Sequence, residues 1–354
     1  MRIAQVCPRY PPYIGGVETH VQELSERLVR RGFEVAVLTT DSGRGLAKSE
    51  TLNGVKVRRF WAWAPGEAYY FSGSLRYFLA AHASDFDVVH AHCYHAFPAL
   101  YAAQAMGSNR LVFTSHYHGV GHTWFRSLLH VPYRFIGRRI FDTADRVICV
   151  SEHERSLVER NFGLDDEKLI LIPNGLDLHE FSGLQRHAKE RRLILTVGRL
   201  EKYKGVQYLI RVLPYLMDDF VVEVVGRGPY REHLVELSRK LGVADRVRFL
   251  HGLSRAELLQ EFADADVFAL LSEHEAYGIT VAEALCAGTP CVVARTSALA
   301  EWIDGKGCFG IDLPIDYNRL ANVIESVVGL RVAKPNVLDW DDVVRRLVGL
   351  YESL

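Results

Sequence analysis

Two basic side chains in one glycine-bounded turn could bind an anion. Arg199 and Lys204 lie in the segment Gly198-Arg199-Leu200-Glu201-Lys202-Tyr203-Lys204-Gly205, between an apolar run and an amphipathic one. Two fixed cations between a strand end and a helix start suit a diphosphate. The alternative is a solvated basic turn. Gly226 and Gly228 form another glycine turn after the next predicted strand, which could contact the same ligand or serve the turn alone.

Two carboxylates and a run of backbone amides follow further along the chain. Glu275 and Glu283 are eight residues apart, and Gly278 predicts a helix start between them. A ligand there would face the N–H groups of Tyr277, Gly278 and Ile279. Carboxylates at such a place suit sugar and ribose hydroxyls, which donate to carboxylate oxygens. The alternative is an acidic first turn that complements the helix dipole.

The loop after the first predicted strand carries two adjacent glycines, Gly15 and Gly16. Glycines there let a ligand approach the backbone, and the N-terminus of the following helix favours an anion. A tight strand-to-helix turn explains the same residues. The pattern is not G-x-G-x-x-G, so a standard dinucleotide fingerprint is missing from this position.

Histidines are concentrated in a stretch without acidic residues. Residues 88–141 contain no Asp or Glu but seven of the fifteen histidines. His90, His92 and His95 have a spacing typical of metal ligands, so a zinc metallohydrolase is a distant alternative. No carboxylate lies nearby in sequence to complete such a site. His116 follows a predicted strand and could bind a sugar hydroxyl or orient a backbone carbonyl.

The strands and helices that must position these residues are predicted to alternate along the chain of 354 residues. Short apolar runs alternate with amphipathic stretches, which is typical of βα units and a parallel sheet. The pattern restarts after a polar stretch, 174–192, that predicts a hinge. Two S-x-x-E motifs, which begin at Ser151 and Ser254, predict capping boxes. We predict an α/β protein of two doubly wound, Rossmann-like domains, 1–180 and 181–339, with a ligand cleft at the carboxyl ends of both sheets.

Composition narrows the class of protein. With 42 basic and 43 acidic residues the net charge is −1, which argues against a dedicated nucleic-acid-binding protein. No apolar run approaches about 20 residues, so no bilayer-spanning helix is predicted. Six cysteines without a CxxC pair indicate a reducing, cytoplasmic compartment, but leave open one disulfide among Cys286, Cys291 and Cys308. A last amphipathic helix, 340–354, is predicted to cross back onto the first domain.

Taken together, these segments resemble family 4 of the glycosyltransferases, the retaining sugar-nucleotide enzymes with the GT-B fold. The motifs occur in the family's order: Gly15-Gly16-Val17-Glu18, Thr114-Ser115-His116, Pro173-Asn174-Gly175-Leu176-Asp177, Gly198-Arg199-Leu200 with Lys204-Gly205, Gly226-Arg227-Gly228-Pro229, Glu275 to Glu283 with Tyr277-Gly278, and Ala287-Gly288-Thr289-Pro290. The chain departs from the family at Leu271-Ser272, where Pro-Ser is usual, and at Ala298-Leu299-Ala300-Glu301, where Gly-Gly-x-Pro-Glu is usual.

The resemblance implies roles for single residues. Arg199 and Lys204 would hold the donor diphosphate, and Glu283 would bind the nucleotide ribose. Glu275 and the amides after it would bind the donor sugar, with His116 near the transferred group. The predicted catalytic residues are therefore His116, Glu275, Arg199 and Lys204, and the predicted donor-binding residues are Gly15, Gly16, Arg199, Lys204, Gly226, Gly228, Glu275, Tyr277, Gly278, Ile279 and Glu283.

The expected activity is retaining transfer of a hexose from a UDP- or GDP-linked sugar to an alcohol, a polyol, or a lipid-linked or phosphate acceptor. No metal or other cofactor is expected, because two cations already neutralise the diphosphate. The alternatives are a GT-B glycoside phosphorylase, a sugar-nucleotide epimerase and the metallohydrolase. The sequence does not specify the base, the sugar, the acceptor or the oligomeric state.

A basic stripe in the first half predicts a peripheral contact with the inner face of the membrane. Arg126, His130, Arg134 and Arg138 recur every four residues beside large apolar side chains. This pattern suits an anionic lipid surface or the phosphate of a lipid-linked acceptor. The alternative is an ordinary surface helix, which Pro132 would kink.

Overall fold

A computed structural model of the chain describes residues 1–43, 45–107, 110–117, 119, 133, 136–187, 189–330 and 332–354. The chain divides into two compact units. Unit 1 comprises Met1–Gly175 and Leu338–Leu354, and unit 2 comprises Leu176–Val337. The first crossing between units lies in the polar stretch that predicts a hinge.

Unit 1 is built on an eight-stranded, mainly parallel sheet. Its strands are β1 Arg2–Val6, β2 Glu34–Asp41, β3 Ser49–Leu52, β4 Val55–Trp61, β5 Val88–His92, β6 Arg110–Thr114, β7 Arg146–Cys149 and β8 Leu169–Leu171. They lie in the order β3-β4-β2-β1-β5-β6-β7-β8, and only the β3–β4 pair is antiparallel. The order reverses at β1, so the loop after β1 opens at the switch point where ligands bind in doubly wound sheets.

Unit 2 contains a six-stranded parallel sheet. Its strands are β9 Arg192–Val197, β10 Phe220–Val225, β11 Val247–Leu250, β12 Val267–Leu270, β13 Cys291–Ala294 and β14 Cys308–Ile311. The order is β11-β10-β9-β12-β13-β14, which places the switch point between β9 and β12. All six residues of β10 are buried, as expected of a strand covered on both faces.

Helices cover the faces of both sheets. In unit 1 they are α1 Gly16–Arg30, α2 Gly73–His82, α3 Phe97–Ala105 and α4 Glu152–Phe162, with further helical residues at 136–143. In unit 2 they are α5 Val206–Val212, α6 Arg231–Lys240, α7 Arg255–Asp264, α8 Ile279–Cys286 and α9 Tyr317–Val327. Together with the two sheets they confirm the α/β class with two doubly wound, Rossmann-like units. None of the helices in the described ranges combines the length and hydropathy needed to cross a bilayer.

The last helix, α10 Trp340–Glu352, returns to unit 1. Its apolar face, formed by Trp340, Val343, Val344, Leu347 and Tyr351, is buried in one core cluster with α1 and β1. The spacing of these residues follows the helical period, which places them on one stripe.

The six cysteines are free thiols. Cys291 and Cys308 are paired in register on β13 and β14 but are not bonded. Burial raises the pKa of the Cys286 thiol to about 11 and that of Cys308 to about 12. These thiols are therefore protonated at neutral pH, which makes them weak nucleophiles.

Candidate active site

The two predicted cations of unit 2 occupy the turn after β9, at the switch point of the sheet. Lys204 Nζ lies 2.6 Å from Glu275 Oε1, and their side chains are 17% and 14% exposed. Burial alone would lower the pKa of Lys204, but the Glu275 carboxylate raises it above its ordinary value. Arg199 is 54% exposed and lies 3.4 Å from Glu201. The structure thus brings Lys204 and Glu275, which are 71 residues apart, into direct contact.

The loop that carries Glu275 is held by the segment that departs from the family pattern. The Glu275 N–H donates to Ser297 Oγ at 2.9 Å. The Trp302 indole N–H donates to the Tyr277 carbonyl at 2.7 Å. Ser297–Trp302 forms a short 3₁₀ helix, so this segment positions the loop although its sequence is unusual.

Gly278 ends this loop and begins α8. Its φ of +90° is a left-handed conformation, and a Cβ there would lie 3.0 Å from Leu299. Because glycine adopts this conformation at little cost, α8 can begin directly after Tyr277. Ile279 is the first helical residue, so its N–H is among the amides without an intrahelical acceptor.

Glu283 lies in α8 with its carboxylate bonded to Arg255, the first residue of α7. Arg255 also pairs with Glu180 at 2.8 Å. Burial raises the pKa of Glu283 above its ordinary value, and Arg255 opposes that shift. Arg255 was missed by the sequence reasoning, because it stands 28 residues from Glu283 in a segment with no recognisable motif.

The glycine turn after β10 packs against the turn after β9. A Cβ at Gly226 would lie 1.9 Å from the Gly198 carbonyl oxygen, and one at Gly228 would lie 2.3 Å from that of Leu200. The Leu200 N–H donates to the Arg227 carbonyl at 2.9 Å. Close backbone approach therefore accounts for both glycines. A ligand contact at Gly226 or Gly228 stays a prediction.

In unit 1, Gly15 and Gly16 follow β1 and begin α1. A Cβ at Gly15 would lie 2.3 Å from the Glu18 carboxylate, whereas nothing lies within 4 Å of the Cβ position at Gly16 among the described atoms. Glu18 is buried and paired with Arg9 at 2.5 Å. The open space at Gly16 is compatible with the predicted ligand approach.

His116 lies in the loop after β6, and its φ of +45° places it in the left-handed region. Its neighbours on both sides are fixed by Glu154, which accepts from the Ser115 hydroxyl at 2.6 Å and from the Tyr117 N–H. Glu154 also accepts from the Val150 N–H at 2.7 Å. Glu154 thus positions the loop that carries His116, whereas the sequence pattern predicted that it would complete the capping box at Ser151.

The N-cap predicted at Ser151 is confirmed, but the reciprocal half of its capping box is not among the described contacts. Ser151 accepts from the Glu154 N–H, and the Glu154 carboxylate bonds Val150 and the His116 loop. The box predicted at Ser254 is confirmed, because the carboxylate of Glu257 accepts from the Ser254 N–H at 2.7 Å.

The metal-type spacing of His90, His92 and His95 does not form a metal centre. Both nitrogens of His90 are used, Nδ1 with the Tyr351 hydroxyl at 2.6 Å and Nε2 with Thr114 Oγ1 at 2.7 Å. In the described ranges, His92 instead approaches His20 and His116. The metallohydrolase alternative therefore loses one of its ligands, because both nitrogens of the buried His90 are already engaged by protein hydroxyls.

His20, on α1, was not among the predicted site residues. Its Nδ1 lies 2.8 Å from Asn174 Oδ1. Its ring contacts the edge of Trp340, with centroids 5.6 Å apart. Burial lowers the pKa of His20 to about 4, against the smaller effect of Asn174. Burial also lowers the pKa of His92, with His90 adding to the shift.

Most of the predicted basic stripe cannot be placed. Arg126, His130 and Arg134 lie outside the described residues. Arg138 is exposed and lies 3.4 Å from Asp142 in the helical residues 136–143.

Comparison with known proteins gives matches over nearly all of the chain. Residues 14–180 match the family model "Glycosyltransferase Family 4", and residues 180–331 match "Glycosyl transferases group 1". A D-inositol 3-phosphate glycosyltransferase of Actinosynnema mirum is 30% identical, and the alignment covers 96% of this chain and 86% of that protein.

Solved structures show the same fold. A sucrose-phosphate synthase from Thermosynechococcus elongatus aligns with a TM-score of 0.83 at 19% identity, over 99% of this chain and 98% of that one. HepE of Anabaena in complex with UDP-glucose aligns with a TM-score of 0.81 at 18% identity, over the full length of both chains. These neighbours are GT-B glycosyltransferases, so the predicted fold is confirmed.

Proposed function

The chain belongs to the glycosyltransferases of family 4, and from that premise we propose that it moves a hexosyl group from a UDP- or GDP-linked sugar to an alcohol acceptor with retention of anomeric configuration. In this proposal unit 2 binds the donor through the turn after β9, the loop before α8 and the first turns of α8. The acceptor is a sugar, a polyol, or a lipid-linked or phosphate-bearing alcohol.

The observation that carries the proposal is the Lys204–Glu275 pair beside Arg199 at the switch point of unit 2. An ion pair with both side chains largely buried positions an ammonium group and a carboxylate with little freedom to move. As the C1–O bond of the donor breaks, negative charge grows on the leaving diphosphate and positive charge on the sugar. Lys204 and Arg199 stabilise the negative charge on the leaving diphosphate. Preorganised charges of this kind are the largest contributors to many rate enhancements.

Glu283 is proposed to bind the ribose. A carboxylate has about four acceptor sites, so the bond to Arg255 leaves sites for ribose hydroxyls. Burial raises the pKa of Glu283 and Arg255 opposes that shift, so Arg255 favours the ionised carboxylate, which accepts from hydroxyl donors at both oxygens. The amides of Tyr277, Gly278 and Ile279 would donate to the donor's phosphate or sugar oxygens.

The relatives support this donor class. HepE was crystallised with UDP-glucose, and the Actinosynnema relative is named for transfer to D-inositol 3-phosphate. We propose that the diphosphate is neutralised by side chains and amides, with no metal in the transfer step. His116 and Gly16 of unit 1 are proposed to contact the transferred group and the acceptor or phosphate. A cytoplasmic location belongs to the same proposal.

The test is a donor and acceptor matrix. Thermal shift with UDP, GDP and ADP sugars identifies the donor, since a ligand at 100 times its Kd stabilises the protein by about 2.7 kcal/mol. Release of the nucleoside diphosphate is then measured with and without polyol, sugar and lipid-linked acceptors, and the product anomer is read by NMR.

Acceptor-dependent release with a retained anomer supports the proposal. Conversion of the donor to its epimer without nucleotide release would assign an epimerase, and turnover only with inorganic phosphate and a glycoside would assign a phosphorylase. Either result, or an inverted anomer, overturns the proposal.

A further inference from the structure

Three imidazoles from three separate elements of unit 1 converge beside the carboxyl end of β5. His20 lies on α1, His92 ends β5, and His116 follows β6. One nitrogen of each lies within 4.8 Å of the others. The ring centroids are 5.6 Å apart for His20 and His92, 5.0 Å for His20 and His116, and 6.3 Å for His92 and His116.

Hydrogen bonding determines which nitrogen of His20 has a lone pair that can bind a ligand. Its Nδ1 donates to Asn174 Oδ1, since an amide oxygen only accepts. The neutral ring then carries a lone pair on Nε2. This atom is buried and has no hydrogen-bond partner among the described residues, and the side chain is 4% exposed.

A buried network fixes His92 in the same way. The Gln5 amide nitrogen donates to the Tyr351 hydroxyl, so Gln5 Oε1 faces His92 and accepts from its Nε2 at 2.6 Å. The lone pair of His92 therefore lies on Nδ1. That atom is also buried, fully enclosed, and without a partner in the part of the chain that the structure describes.

Two buried lone pairs that meet no donor among the described residues are costly unless a ligand satisfies them. We propose that His20, His92 and His116 form a binding site for a transition-metal ion such as Zn²⁺, with Nε2 of His20 and Nδ1 of His92 as two of its ligand atoms. The site goes beyond the transfer activity and takes no part in neutralising the donor diphosphate.

The geometry is compatible with this ion. Three nitrogens bound at about 2.1 Å in a tetrahedral arrangement lie about 3.4 Å apart, which puts their ring centroids roughly 5 Å apart. The two spacings that involve His20 are close to this value, and the His92–His116 spacing must shorten by roughly 1 Å. Imidazole ligands favour Zn²⁺, Cu²⁺ or Ni²⁺ over Mg²⁺ or Ca²⁺, and three protein ligands leave a position for water.

The second layer of contacts matches that of metal-bound histidines. Such ligands commonly donate their other N–H to a carbonyl or carboxylate oxygen, which orients the ring. Asn174 Oδ1 does this for His20, and Gln5 Oε1 does it for His92. Loss of such a partner typically lowers metal affinity 10- to 100-fold.

One consequence rests on the proposed function. If His116 contacts the transferred sugar, a metal ion on its ring would compete with the donor. Zn²⁺ should then raise the apparent KM for the donor. This effect can fail while metal binding is still observed, so the two proposals are tested separately.

The experiment uses the full chain without a histidine tag. Metal is removed with EDTA, one equivalent of Zn²⁺ is added, and bound zinc is measured after desalting. Co²⁺ is titrated in parallel, since its visible absorption reports nitrogen coordination in a tetrahedral site. We expect about one ion per chain, and an affinity at least tenfold lower in His20→Gln, His92→Gln and Asn174→Ala.

Asn174→Ala is the most discriminating variant, because it leaves all three imidazoles in place. His82→Gln is the control, since His82 is exposed on α2 and paired with Asp85. Thermal unfolding of each variant in EDTA establishes that it is folded before metal is added. Wild-type protein that retains no zinc and gives no Co²⁺ spectrum overturns the proposal. So does binding that is unchanged in His20→Gln and Asn174→Ala, because the ion would then lie elsewhere.

Discussion

Replacing Lys204 by alanine separates a binding role of the Lys204–Glu275 pair from a purely structural one. If the ammonium group holds the donor diphosphate, its loss removes a charge-assisted hydrogen bond of about 1.5–3 kcal/mol. At 1.36 kcal/mol per tenfold, nucleoside diphosphate affinity should fall by roughly 10- to 150-fold. Calorimetry with the free nucleoside diphosphate measures this directly.

Lys204→Ala should also lower the free energy of unfolding. Glu275 is 14% exposed, so removing Lys204 leaves a largely buried carboxylate without its cation. A buried polar group left without its partner costs about 1–3 kcal/mol of folding free energy, and a charged group costs more. The double variant Lys204→Ala/Glu275→Gln should recover part of that loss, and the double-mutant cycle gives the coupling.

Glu275→Gln makes the test decisive. Glutamine keeps an oxygen that accepts from Lys204 but removes the charge that holds the ammonium group. Nucleoside diphosphate affinity should therefore stay equal or rise, while sugar transfer falls. Lys189→Ala is the matched control, because Lys189 forms a similar pair with Glu261 at 2.8 Å but precedes β9 instead of following it. The reasoning is refuted if Lys204→Ala binds as tightly as wild type, or if Glu275→Gln weakens binding as much as Lys204→Ala.

Three further outcomes are expected. The pKa of Glu283 is raised above 4.5, so nucleotide affinity should fall on acidification at a higher pH than it would with an ordinary carboxylate. Isothermal titrations from pH 4 to 8 should show this loss of affinity. Glu283→Gln should bind more weakly at every pH and should not show the pH-dependent loss. Trp302→Phe removes the hydrogen bond to the Tyr277 carbonyl, worth about 0.5–1.5 kcal/mol, and should lower kcat up to about tenfold; unchanged kinetics would show that the loop holds its shape without it. If the basic stripe contacts membranes, the protein should co-sediment with anionic but not neutral vesicles at low salt, and Arg134→Glu with Arg138→Glu should abolish this; binding that persists in the double variant would assign the surface elsewhere.

The positions of the candidate site residues of unit 2 followed from the sequence because they depend on local order. A strand, a glycine turn and a helix succeed one another within a few residues, and a parallel sheet collects its strand ends at one edge. Arg199, Lys204, Glu275 and Glu283 were placed in this way. Two long-range partners were not: Arg255 bonds Glu283 across 28 residues, and in unit 1 Glu154 bonds the Ser115 hydroxyl across 39 residues. No local pattern records such contacts.

The two S-x-x-E motifs also show that a local pattern does not determine which partner a side chain bonds. Ser151 and Ser254 begin identical patterns, yet among the described contacts only Glu257 completes a box. Glu154 lies beside the loop after β6, whose amide and hydroxyl donors compete for its carboxylate. Glu257 is exposed and meets no such competitor in the described contacts.

Helix α3 has no amphipathic pattern that would predict it from the sequence. Residues 98–103 within it are all buried, so no polar face gives the sequence a 3.6-residue period. Periodicity reveals a helix only where one side meets water. His20 was overlooked for a similar reason, since a single histidine among the apolar positions of α1 carries no spacing signal.

The return of α10 to unit 1 sets an order for folding during synthesis. Unit 2 is one continuous segment, Leu176–Val337, which the ribosome completes before it reaches Leu338–Leu354 of unit 1. The apolar surface of α1 stays uncovered during that interval, because its cover arrives with Trp340, Val344 and Leu347. Unit 1, although begun first, therefore lacks part of its core until this segment has been made. A nascent chain halted before Leu338 would expose a hydrophobic strip suited to chaperone binding, and synthesis of the final helix would remove it.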